Sequence, residues 1–319
     1  MSSVSATSLQ SFLGGLGLTF PVHALLTLNG SIFGISGFMH RAVMGRKEDA
    51  ASVLGLVLGG LLIGKIDGLA PVVLDSSPLR MIASGLLVGL GTKLSNGCTS
   101  GHMLCGLSRF SLRSAVAVAT FFTTGVITAH ALHSGSLAPV TDYLNTQLES
   151  SSGYLLAFSA LSSLAAVAIS QRNPSPDTPV PTKNTNPTRR VLTSLLTAVS
   201  FALSLRLSNL TEPTRVLSFL MLPPNPAFDP SLAFLAVGAI PLLSLLYRKY
   251  GKPYTPTMKK DVDGRLVVGA ALFGVGWGIQ GICPGPGLVN FGRALTAGVG
   301  IQPLAIWLSS IIIGGLVVP

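Results

Sequence analysis

Apolar runs recur along the whole chain, each near the 20 or so residues that carry a helix across a bilayer, with short polar breaks between them. Only 10% of the 319 residues are charged, against roughly 25% in soluble domains. The pattern reads as an all-α polytopic membrane protein. Its 36 glycines and 21 prolines fit, since both are commoner in membrane helices than in soluble ones. The formal net charge of +10 sits mostly in loops, where it marks topology and does not point to nucleic acid. Three cysteines, an odd number in apolar surroundings, do not make a disulfide framework. The first eight residues carry no Lys or Arg, so a cleavable signal peptide is not expected.

The runs place nine spans at 9–28, 51–66, 79–94, 114–133, 153–170, 191–207, 230–247, 266–280 and 301–318. Four further segments are too short and glycine-broken to span, yet too apolar for loops: 29-NGSIFGISGFM-39, 97-GCTSGHMLCGLSRF-110, 208-SNLTEPTRVLSFL-220 and 281-GICPGPGLVNFG-292. Each is expected to enter the membrane and leave on the same side, which irregular backbone tolerates only inside protein or beside a wet cavity. They follow the first and third spans, then the sixth and eighth. Residues 1–150 therefore form a first half and 191–319 a second. Residues 151–190 hold an extra span and a Pro-rich polar linker that stays outside the bilayer. The odd span inverts the second half, giving an inverted repeat with its site near the midplane.

Basic residues set the expected orientation. One face collects Lys65, Arg80, Arg206, Arg215 and Arg293, and the other collects the remaining cations. The second face is then cytoplasmic and the N-terminus external, unless the basic mouth serves to collect an anion.

The segment 95-SNGCTSGHMLCGLSRF-110 holds two of the three cysteines. Read as a helix starting after Gly97, it puts Cys98, His102, Cys105 and Arg109 within about 60° of one another on one stripe, the thiols roughly 10 Å apart along the axis. Cys283 precedes Pro284, the residue favoured at the first helical position. Cys98 and Cys283 thus each open a short helix whose free N–H groups attract anions. The thiol adds a soft, polarisable donor suited to a sulfur-bearing anion. Other readings stand beside this one. Cys98, His102 and Cys105 have metal-ligand spacing but no carboxylate near them. A thiolate at a helix start also suits a sulfur-transfer or thiol redox protein. Cys105 reads as packing or as a ligand, His102 as a path residue or a backbone hydrogen-bonder, and Arg109 as a path residue or a boundary marker. Asn29, Asn209 and Asn290 either line the path or cap the short helices. No motif for a cofactor or a nucleotide-driven motor is present, so neither a cofactor nor enzymatic chemistry is expected.

At these residues the chain resembles a known family. The stretch 97-GCTSGHMLCGLSRFSLRSAVAVATFF-122 is similar to the signature of the YeeE/YedE sulfur-transport family, and 29-NGSIFGISG-37 resembles that family's first motif. The stretches 212-EPTRVLSFLMLPPNPAFDPSLAF-234 and 275-VGWGIQGICPGPGLVNFG-292 resemble its second component, often separately encoded and here fused to the first. The resemblance implies an hourglass-shaped, multi-pass plasma or inner-membrane protein with inverted pseudo-symmetry that passes thiosulfate, or a related sulfur anion, between cysteines through S–H···S contacts. Cys98 and Cys283 match the central cysteines. The first motif lacks the cysteine that thiosulfate-transporting members carry there. Membrane lipid and a sulfur-accepting protein are the expected partners.

Overall fold

A computed structural model describes residues 8–74, 77–140, 148–170, 186–256 and 261–318; most of the polar linker, at 171–185, lies outside the described residues. Nine long helices occupy the expected runs: α1 (Ser8–Asn29), α3 (Lys47–Asp67), α4 (Pro78–Ser95), α5 (Leu112–His133), α6 (Ser152–Ser170), α7 (Pro187–Leu207), α9 (Ser231–Leu246), α10 (Gly264–Gln280) and α12 (Ile301–Leu316). Three short helices, α2 (Ile35–Val43), α8 (Pro213–Leu220) and α11 (Pro284–Ala297), fall in three of the four broken segments. The fourth segment contains a π-helical turn, Ser100–Gly106.

Among the described residues, seven helical stretches are long and apolar enough to cross a membrane, counting α10 and α11 as one run. The other two long helices fall short for visible reasons. Helix α4 carries Arg80 and Lys93, and the apolar α12 has 16 residues.

Local chemistry sets the helix limits. Ser77, Asn186 and Asp263 accept from the first-turn N–H groups of α4, α7 and α10, and proline opens α4 and α7. Gly281 ends α10 at φ 66°, a conformation open to glycine at no steric cost. The turn it makes sends the chain back into the interior toward Cys283.

Contacts along the helices define two ends of the molecule. Helices α3 and α7 run side by side, with Arg190 bonded to Glu48 at one end and Arg206 to Asp67 at the other. Helix α1 runs the opposite way, Ser11 meeting the Ser208 carbonyl and Asn29 the Arg190 carbonyl. Helix α4 packs between α10 and α12, and α5 lies along α10. Helix α6 is zipped to α7 by serines, Ser159 to Ser200 and Ser204 at 3.0 Å and Ser163 to Ser200 at 2.8 Å, the kind of small polar contact that holds helices together in lipid.

Helix α11 lies against α3 at backbone distance. A Cβ added at Gly292 would stand 2.1 Å from the Val57 carbonyl oxygen, and one at Gly60 would stand 2.1 Å from that of Val289. Neither neighbour is a side chain that can swing away. Gly292→Val should therefore force the two helices apart and destabilise the fold by about 3 kcal/mol. Thermal melting of the purified protein checks this, with Gly153→Val, which meets open space, as the unaffected control.

Candidate functional site

The four short segments bring their starts together in the interior. The Ile35 N–H of α2 donates to Ser100 Oγ at 3.2 Å. Gly285, in the first turn of α11, lies against the Ile35 side chain, and Gly281 lies against the Pro213 carbonyl that opens α8. Cys98 and Cys283 sit at this meeting point, 1% and 2% exposed. The Cys98 carbonyl accepts from His102 N–H and the Cys283 carbonyl from Gly287 N–H, so each residue is the cap of a helix start. Cys98 Sγ is 3.3 Å from Ser100 Oγ. Ser100 links Cys98 to the Ile35 N–H, and Ile35 in turn lies against the first turn of α11 that Cys283 caps.

Cys98, His102, Cys105 and Arg109 do not form one stripe. The π turn carries more residues per turn than the α-helix assumed from sequence, and the side chains fan apart. His102 turns toward α4 and α5, with Nε2 3.2 Å from the Ser95 carbonyl and Nδ1 3.2 Å from Ser114 Oγ. The carbonyl can only accept, so Nε2 carries the proton and Nδ1 accepts from the serine. Gly97 gives His102 room, for a Cβ there would be 2.7 Å from Nε2. Cys105 Sγ points to the Phe33 carbonyl at 3.7 Å, so this thiol reaches the segment 29–37.

Arg109 borders two spaces. One is a cavity of about 30 Å³ shared with Cys105 and Phe33. The other is a vestibule of about 1050 Å³ whose lining includes Gly34, Gly97 and Gly101, neighbours of the helix starts. Arg41, Arg46, Lys93, Arg109 and Arg113 line the vestibule with Glu48 and Asp49. The acids are taken, Asp49 by Arg41 and Arg46 and Glu48 by Arg190. Arg113 pairs with Asp263. Among the described residues Lys93 and Arg109 have no ion pair, and Arg109 Nη1 is buried without a hydrogen-bond partner. The vestibule is left with positive charge directed into it.

The asparagines act as ties. Asn29 donates to the Arg190 carbonyl and to Ser194, and Asn290 donates to the Thr211 carbonyl at 2.7 Å. Asn209, at φ 58°, accepts from Arg206.

At the opposite end lies a cluster that sequence reasoning missed. Arg206 binds Asp67 at 2.8 Å and Glu149 at 3.0 Å, while Arg293 binds Glu212 at 3.0 Å and Asp67 at 3.4 Å. Both arginine side chains are at most 1% exposed. They are therefore interior groups at that end of the molecule, paired with acids and shielded from solvent. Of the five cations on that face, Arg215 is buried as well, which leaves Lys65 and Arg80. One signal was available: Arg293 directly follows the glycine-broken segment that holds Cys283, and Arg206 closes an apolar helix just before another such segment, where an ionisable residue is a functional candidate.

Apolar helices with a basic vestibule leading to buried helix starts define a multi-pass integral membrane protein. The sulphur transport family profile matches residues 3–128, and a family of unknown function, DUF6691, matches residues 189–318. Two proteins of Xylella fastidiosa strain 9a5c, each called a probable transporter, are 46% and 35% identical over 120 and 117 residues. Those matches cover 37% and 34% of this chain, and 89% and 79% of the relatives. A protein of strain Temecula1 with the same description is 45% identical over 120 residues. No solved structure matches. The chain belongs to the YeeE/YedE sulphur transport family, with the family's two components fused in one polypeptide.

Proposed function

We propose that this protein is a transporter for a small sulfur-containing inorganic anion, thiosulfate first among them, which passes between Cys98 and Cys283. The observation that carries the reading is their meeting. Two thiols from distant parts of the chain cap two helix starts that meet through Ser100 and Ile35, next to residues that line a basic vestibule. Converging helix starts supply partial positive charge without a mobile counterion. The S–H groups donate to the terminal sulfur of the anion, and the N–H groups and Ser100 attend its oxygens.

The reading includes nine spans, four re-entrant half-helices and an inverted repeat. Helix pairing supports the repeat. Exchanging α1 with α7, α3 with α9, α4 with α10 and α5 with α12 turns the α3–α7 contact into α9–α1 and the α5–α10 contact into α12–α4, and both pairs of contacts are extensive. The charge count puts the vestibule on the cytoplasmic face. An interior-negative potential opposes entry of a dianion by about 2.3 kcal/mol per charge per 100 mV. Uptake therefore needs a coupled gradient or removal of the product, and a sulfur-accepting partner protein would provide the latter.

Proteoliposomes holding the purified protein are tested with radiolabelled thiosulfate, sulfite, sulfate and sulfide. Accumulation of unaltered thiosulfate over protein-free vesicles is the expected result. A chemically changed product, or a persulfide on cysteine in place of accumulation, would instead make the protein a sulfur-transfer enzyme.

A further inference from the structure

We infer that Arg206 and Arg293 form a second oxyanion site at the end opposite the vestibule, occupied in this structure by the protein's own carboxylates. The ligand class is a small dianionic sulfur oxyanion, and the site's place on a transport path rests on the reading above.

The comparison between halves is the starting point. Glu212 precedes α8 as Gly34 precedes α2, and Arg293 follows Cys283 by ten residues as Ser108 follows Cys98. In the first half Gly34 lines the open vestibule. In the second, Glu212 and Arg293 are joined across the corresponding place at 3.0 Å. A carboxylate presents two oxygens to a guanidinium much as a sulfur oxyanion does, so Glu212, Asp67 and Glu149 hold the positions that anion oxygens would take.

One observation shows that the carboxylates are an incomplete substitute. Arg293 Nε, Asn209 Nδ2 and Thr211 Oγ1 are buried without a hydrogen-bond partner, in residues at most 1% exposed. These are three donors beyond those the acids use, gathered around the same two arginines. A tetrahedral anion has oxygens enough to accept from them.

Two measurements on the full-length protein test the site, thermal stabilisation by added thiosulfate or sulfate and the KM of thiosulfate uptake. Glu212→Gln removes an internal competitor. It should enlarge the anion-induced stabilisation and lower KM by at least about fivefold. Arg293→Gln should abolish most of the stabilisation and raise KM at least about tenfold. If Glu212→Gln does not fold, Glu149→Gln at the more exposed edge of the cluster carries the same expectation, and Arg293→Lys serves if Arg293→Gln does not. Unchanged KM and unchanged anion stabilisation in folded variants would overturn the proposal and leave a purely structural ion-pair cluster. The two readings fail separately. A wild type that moves no sulfur anion, yet is stabilised by thiosulfate more in Glu212→Gln than in Arg293→Gln, loses the transport reading and keeps the site.

Discussion

Cys98→Ala and Cys283→Ala are each expected to abolish thiosulfate uptake while the protein still inserts and melts as a folded species. Both side chains are buried at a junction of helix starts, where alanine removes a single sulfur atom and leaves every backbone bond in place. The cost in stability is about 1 kcal/mol, and the cost in transport is the whole soft contact. Serine should rescue little, because it keeps a donor but presents a hard, less polarisable one. Cys105→Ala should reduce uptake only in part. Its thiol is directed at the Phe33 carbonyl beside a separate small cavity. A loss as complete as for Cys98→Ala would put Cys105 in the role of the absent first-motif cysteine. Normal uptake by a folded Cys98→Ala/Cys283→Ala protein would end the thiol pathway.

Thiol labelling from the two faces is expected to give an all-or-none result. The natural flank position Arg293 is unsuitable, since it is 1% exposed and ion-paired. Phe110 at 63% and Val299 at 60% are open to reagent. Each is replaced by cysteine in a chain whose three native cysteines are alanine. An impermeant maleimide should reach Phe110→Cys from one side only and Val299→Cys from the other only. Reaction of both from one side would destroy the inverted repeat and the convergence of helix starts from opposite faces. Opposite labelling with Phe110→Cys outside would spare the repeat and reverse the orientation. The vestibule would then be an external collector, and its advantage in uptake should fall as salt shortens the Debye length to about 10 Å at 0.1 M.

Much of the helix plan was legible because each boundary had a local cause. Pro78, Pro187 and Pro284 open helices, and Gly68 and Gly281 close them at positive φ. The short segments were visible through their glycines, and the two cysteines through their place at helix starts. The fan of side chains after Cys98 was not legible, because a π turn differs from an α turn by one residue per hydrogen bond and leaves no periodic trace in seven residues. The far cluster was hidden for another reason. Asp67, Glu149, Arg206, Glu212 and Arg293 come from five places along the chain, and only the packing of α3, α7, α8 and α11 brings them together. Counting arginines by side misses that convergence.

Helix α6 and its serine contacts to α7 have a consequence for how the two components meet. As separate products, two such components would find each other by diffusion in the bilayer, and their union would depend on how much of each a cell makes. Joined through α6, they are present one to one from a single message, at an effective concentration on the order of millimolar. The seams between them, α1 with α9, α3 with α7 and α4 with α10, then answer to the rules of folding and no longer to those of affinity. A lesion in a seam shows as protein lost during synthesis, and dilution of the membrane leaves the assembled molecule intact.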